Sequence, residues 1–158
     1  MYWKRLGLWI KEKRAKIIEL EDKLIEYEKP DDFEGDIFKA VEKNNIKSVK
    51  YLIKVKKVDP NIKNNDGYTP LHSASENGHL DIAKYLVEEC KVDPNIKDKY
   101  GSTPLHFASR EGHLNIVKYL IEECKADTNI KNNSGHTPLF IASGGGHLDI
   151  VNYLKDIK

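Results

Sequence analysis

A 34-residue step governs this chain. Thr69, Thr103 and Thr137 share it, and each is followed by Pro and Leu. The same step links Gly78, Gly112 and Gly146, then His79, His113 and His147, then Asn61, Asn95 and Asn129. Tyr51, Tyr85, Tyr119 and Tyr153 extend it toward the N-terminus. Self-similarity at such a period predicts a stack of like units, each touching its neighbours, rather than one central core. The units run 32–65 (degenerate), 66–99, 100–133 and 134–158 (truncated). Residues 1–30 lie outside the period, so the chain divides into an N-terminal segment, 1–30, and a repeat domain, 31–158.

Each unit reads as two short helices. Thr69 is a good N-cap, and Pro70 suits the first helical position, where its missing N–H costs nothing. Leu71 and Ala74 give the first helix an apolar face. Gly78 follows where a left-handed residue ends a helix, and Asn44 holds that place in the first unit. Leu80, Ala83, Leu86 and Val87 then recur at helical spacing, with Asp81 in the favourable first turn. Asp93-Pro94-Asn95 breaks the helix, and Asp66-Gly67, Tyr100-Gly101 and Ser134-Gly135 mark tight turns.

The tetrads Thr69-Pro70-Leu71-His72 and Thr103-Pro104-Leu105-His106, the variant Thr137-Pro138-Leu139-Phe140, and the Gly-His-Leu triplets at 78–80, 112–114 and 146–148 together resemble the ankyrin repeat. The resemblance covers residues 32–158. It implies an all-α solenoid of helix-turn-helix units joined by short β-hairpin-like loops, here preceded by one long helix. One departure is plain. The family's unit has a Gly-Ala-Asp after its second helix, whereas Glu88-Glu89-Cys90-Lys91-Val92-Asp93 carries one extra residue and no glycine. The exit from the second helix is therefore the part of the pattern that does not transfer.

Terminal units of a stack need a modified outer side. In the first unit Gly35-Asp36-Ile37-Phe38 replaces the tetrad, and Ser48 replaces Ile82, Ile116 and Ile150. In the last, Lys155 takes the place of Ile53, Val87 and Ile121, which predicts that the stack ends near residue 158; a stack cut short is the alternative.

From Leu8 to Lys29 there is neither Gly nor Pro, which predicts one long helix ending before Pro30. Trp3, Leu6, Ile10, Ile17, Leu20, Leu24 and Tyr27 form a heptad seam, interrupted by Lys13. In a parallel pair, Lys16 would face Glu21 and Lys23 would face Glu28, so a homodimer through residues 1–30 is one reading. Ile18, Ile25 and Trp9 broaden the stripe and favour the other, in which the helix folds back over the first unit. A foreign helix or a membrane surface is a third, resting on the basic residues 4–16 beside Trp3 and Trp9. Charge is segregated here: residues 1–16 hold six basic side chains and one acidic, residues 19–36 nine acidic and two basic.

Composition narrows the function. The chain is 39% hydrophobic, with a formal charge of +1. It has no apolar run long enough to cross a bilayer, and no whole-molecule pull toward nucleic acid. Cys90 and Cys124 stand one repeat apart, too far for a disulfide between stacked units. Two free thiols suit an intracellular, cytoplasmic protein. The host cell is the alternative if the source is an intracellular microbe, a reading prompted by the many Lys, Ile and Asn. The six histidines recur in register, apart from His136, and read as structural ladders. No CxxC, phosphate-binding glycine loop or nucleophile–base pair stands out, so no metal, cofactor or catalytic residue is assigned. Ser73, Ser75, Ser109 and Ser143 read as surface residues of the first helices.

The resemblance implies non-catalytic binding of a protein partner through the hairpin tips and the concave first-helix face. Carried over by position, the tips are Asn65, Asp66 and Tyr68; Lys99, Tyr100 and Ser102; Asn133, Ser134 and His136. The helix face adds Glu76 and Asn77, Arg110 and Glu111, and Gly144 and Gly145. Two tyrosines and one arginine are the usual anchor types. Phe107 and Ile141 read as packing beneath the hairpins. An assembly protein, paired through the N-terminal helix, is the alternative function.

Overall fold

The structure, a computed structural model, describes residues 2–27 and 35–157, with side chains described at 7–20, 23 and 35–157. The described residues are helical and contain no strand. Helix α1 spans Tyr2–Tyr27. The first unit holds α2 (Ile37–Glu42) and α3 (Ile46–Lys54). The next holds α4 (Pro70–Glu76) and α5 (Leu80–Lys84), which runs on into a wider turn over Tyr85–Glu89. Then come α6 (Pro104–Glu111) with α7 (Leu114–Glu122), and α8 (Pro138–Gly145) with α9 (Leu148–Asp156).

First helices lie close against one another along the series α2, α4, α6, α8, while the second helices meet more sparingly. That difference curves the stack and places the first helices on its inner side. One apolar seam runs the length of it. Val41, Leu71, Leu105 and Ala142 come from the first helices, and Val49, Ile82, Ile116 and Ile150 from the second; all are within 1% of complete burial. Small residues at 74, 108 and 142 let the first helices approach, as their apolar face predicts.

The extra residue of the 34-residue unit is absorbed at the end of the second helix in each of the first three units. There the backbone N–H reaches five residues back: Lys56 to Tyr51 (3.2 Å), Cys90 to Tyr85 (3.2 Å) and Cys124 to Tyr119 (3.3 Å). This π-type turn carries one residue more than an α-turn. Lys57, Lys91 and Lys125 then adopt left-handed backbone, with φ between 56° and 59°. Val58, Val92 and Ala126 close the end by donating to Leu52, Leu86 and Leu120 at 2.9–3.1 Å. These six-to-one bonds satisfy carbonyls that a helix end leaves open.

Two readings of the sequence are corrected. Ser48 is 1% exposed and lines the same interior as Ile82, Ile116 and Ile150, so it is no adaptation of an outer surface. Ser73, Ser75 and Ser109 are buried as well, because the neighbouring first helices cover both flanks; only Ser143, on α8, is exposed.

Helix α1 comes against α3 yet leaves its described apolar side chains in solvent. Ile10 is 49% exposed, Ile17 55% and Leu20 58%, and Leu8, Trp9 and Ile18 are exposed too. The seam residues Trp3, Leu6, Leu24 and Tyr27 have side chains outside the described residues. Among the described residues, no helix is long and apolar enough to cross a membrane.

Candidate functional site

The inner face is built by three kinds of bond between units. The first sets the helix starts. Thr69 and Thr103 sit in extended backbone ahead of Pro70 and Pro104, and His72 and His106 stand at the third helical position. Each histidine turns back, its Nδ1 accepting the N–H of its threonine at 3.1 Å. An Nδ1 that accepts leaves the proton on Nε2. That N–H donates forward to a carbonyl of the next hairpin, Ser102 at 3.2 Å for His72 and His136 at 3.1 Å for His106. Burial holds both rings neutral, with the His72 pKa pushed down to about 4 and that of His106 lowered too.

The second kind runs the other way. His79, His113 and His147 begin the second helices, and each places Nε2 against the end of the preceding first helix. The carbonyls are those of Glu42 (3.3 Å), Glu76 (2.9 Å) and Arg110 (2.7 Å). Gly78 and Gly112 have φ of +77° and +79°, and a Cβ on either would fall within 2.8 Å of the ring of His113 or His147. These glycines thus supply both the backbone turn and the space for the next histidine.

The third kind shapes the tips. Asn64, Asp98 and Asn132 each fold a side-chain oxygen over two backbone N–H groups of their own turn, at 2.8–3.0 Å. Successive hairpins then interlock: Lys99 N donates to Asp66 O at 3.2 Å, and Asn133 N to Tyr100 O at 2.9 Å. The Lys99 ammonium also donates to Asn65 O, and the Asn133 amide to Lys99 O.

On this frame the expected surface residues fall as follows. Asn65, Asp66, Lys99, Tyr100, Asn133 and Ser134 are exposed on successive tips, with Tyr100 57% exposed. Ser102 and His136 are half-buried, since their carbonyls receive the histidines above. Asn77 is exposed at the end of α4, although its amide is spent on Ser73 O at 2.8 Å. Tyr68 is half-buried rather than a free anchor. It meets Phe107 edge to face at 4.8 Å, and His72 completes the group at 5.4 Å from Phe107. Phe107 is 3% exposed and packs beneath the hairpin as expected.

Arg110 lies over the Phe107 ring, its guanidinium carbon 4.9 Å from the centroid. It is also paired twice, through Nη2 to Glu76 Oε1 at 2.5 Å and through Nε to Glu111 Oε1 at 2.7 Å. Four residues from two adjacent units therefore meet: Tyr68 and Glu76 from one, Phe107 and Arg110 from the next. Gly144 and Gly145 occupy the corresponding places in the last unit and bear no side chain.

A family model for ankyrin repeats in three copies matches residues 37–132 and 90–158. The chain belongs to the ankyrin repeat family. No curated protein matches it at a significant level. Ankyrin repeats generally act as protein–protein interaction modules and are typically non-catalytic. Within this ankyrin stack the two buried histidines of the tetrads use both ring nitrogens, and the triplet histidines spend Nε2 on the neighbouring unit. Cys90 and Cys124 are free thiols, each half-buried, and burial raises the pKa of both. The arginine–carboxylate pairing was not anticipated from the sequence. Its signal is there in retrospect: Glu76 and Arg110 stand one period apart, which in a stack means side by side.

Proposed function

We propose that this ankyrin stack binds a protein partner through its hairpin tips and concave first-helix face, with no catalytic step. One observation carries the reading. Framework positions repeat and are buried or bonded between units, whereas the exposed side chains of Asp66, Tyr100 and Ser134 project from equivalent places, one period apart, with differing chemistry. A rigid row of unlike side chains on a fixed spacing suits recognition of one extended surface. Affinity capture with the intact chain, compared with Tyr100→Ala and Tyr68→Ala/Tyr100→Ala variants of unchanged circular dichroism, tests this. Loss of the captured proteins in both variants supports the tip assignment, and full retention in both removes it. The free thiols fit an intracellular location, and the +1 charge favours a protein over nucleic acid or an anionic membrane.

A second reading is assembly through α1, favoured by the exposure of Ile10, Ile17 and Leu20 along its heptad seam. The chain then pairs in parallel and presents two concave faces. Ile17→Lys/Leu20→Lys changes two exposed positions and should convert a dimer to a monomer in sedimentation velocity. A wild-type monomer at high micromolar concentration removes this reading.

A further inference from the structure

The Glu76–Arg110–Glu111 group on the inner face has a charge balance that bears on what it recognises. Arg110 is not available to an acidic partner, because two carboxylates already neutralise it at 2.5 and 2.7 Å. With Arg110 in place, the group carries one net negative charge. Each glutamate spends only Oε1 on Arg110, which leaves its Oε2 for a further donor. If Arg110 turns outward, what is left is a niche with two carboxylates on its rim. Phe107 forms its floor and Tyr68 stands edge-on beside it. A planar cation stacked on an aromatic face and held by carboxylates is a strongly favoured arrangement for guanidinium. Arg110 is 47% exposed, so the cation sits at the open side of the niche.

We infer that this niche recognises the guanidinium of a partner arginine, in the place that Arg110 occupies in the free protein. The inference rests on the concave face being the partner surface, and it adds the partner's chemistry: a basic segment whose arginine enters between Tyr68 and Glu76. Arg110 acts as an internal competitor. Partner affinity is then reduced by the fraction of time the niche is self-occupied. An aspartate or glutamate side chain gains nothing there, since it would face Glu76 and Glu111 across an already neutralised arginine.

The test uses the full chain and NMR titration, read at the Phe107 and Tyr68 ring resonances. The probes are methylguanidinium and two capped pentapeptides, one with a central arginine and one with a central glutamate. Arg110→Ala should bind the arginine peptide about tenfold more tightly than wild type, because the competitor is gone. Arg110→Gln, which keeps some cover over Phe107, should do the same to a lesser degree. Methylguanidinium should shift both rings in Arg110→Ala and have no effect in Arg110→Ala/Glu76→Gln. The inference is overturned if both Arg110 variants bind the arginine peptide no better than wild type, or if the glutamate peptide shifts the same rings. Neither result touches the tip assignment, which stands or falls with Tyr100→Ala in the capture experiment.

Discussion

His72 Nε2 lies 3.2 Å from the carbonyl oxygen of Ser102, 30 residues further along the chain. Its other ring nitrogen is held by Thr69 N–H at 3.1 Å. One buried side chain therefore caps its own helix and fastens the next hairpin, the hairpin that carries Tyr100. His106 repeats the arrangement with Thr103 and His136. The exposed hairpin tips are thus positioned by a ladder that works only while these rings are neutral.

That requirement sets a pH dependence. In the unfolded chain the histidine titrates near its ordinary 6.5, whereas in the fold His72 resists protonation down to about 4. Between those values the unfolded state binds more protons, so stability rises with pH. The contribution is complete above about pH 6.5 and is lost as pH falls toward 4, amounting to about 3 kcal/mol for His72 by the lower limit. Urea unfolding at pH 7, 5 and 4 should show this decline. His72→Phe, which places at 72 the residue type found at Phe140, should be less stable at pH 7 by about 1–3 kcal/mol and show a flatter profile. Parallel profiles for the two proteins would contradict the ladder.

A second prediction concerns the widened turns. Lys91 stands at φ 59°, where a side chain strains the backbone by about 1–2 kcal/mol and glycine does not. Its ammonium recovers part of this by donating to Glu88 O at 2.5 Å. Lys91→Gly should therefore raise the urea midpoint, by up to about 1 kcal/mol in stability. Lys91→Val should lower it, since branching at Cβ worsens the left-handed strain.

A third separates backbone strain from crowding. Gly112 and Gly146 share nearly the same φ, +79° and +76°. A Cβ at 112 would meet His147 Nδ1 at 2.6 Å, while one at 146 would meet nothing within 4 Å. Gly146→Ala should cost about 1 kcal/mol, the backbone contribution alone. Gly112→Ala should cost clearly more, because His147 must give up its bond to Arg110 O as well. Equal costs would mean that the histidine moves aside freely.

What the sequence makes legible here is whatever repeats locally. Thr69, Pro70 and His72 lie within one helical turn, so their capping geometry follows from spacing alone. The extra residue near Cys90 is equally visible, but how a chain absorbs it depends on which turn widens, and that is settled by the burial of Leu86 below it and Val92 beyond it. Ser75 and Ser109 look like surface residues because polar side chains usually are. Their burial comes from neighbouring first helices that approach on both flanks. The Arg110 pairing shows only when the 34-residue period is used to set units side by side, since its partner Glu76 is remote along the chain and adjacent only in the stack. Tyr68 reads as an exposed anchor until Phe107 of the following unit is brought beneath it.

The proposed partner lies across the tips and the inner face. Amide hydrogen exchange of the complex, once a captured partner is in hand, tests it most directly. New protection is expected at residues 65–68, 99–102 and 133–136, where exposed tip residues of adjoining units stand in a row, and none at the outer exits around Lys91 and Lys125. Protection confined to those outer exits, with the tips unchanged, would contradict it.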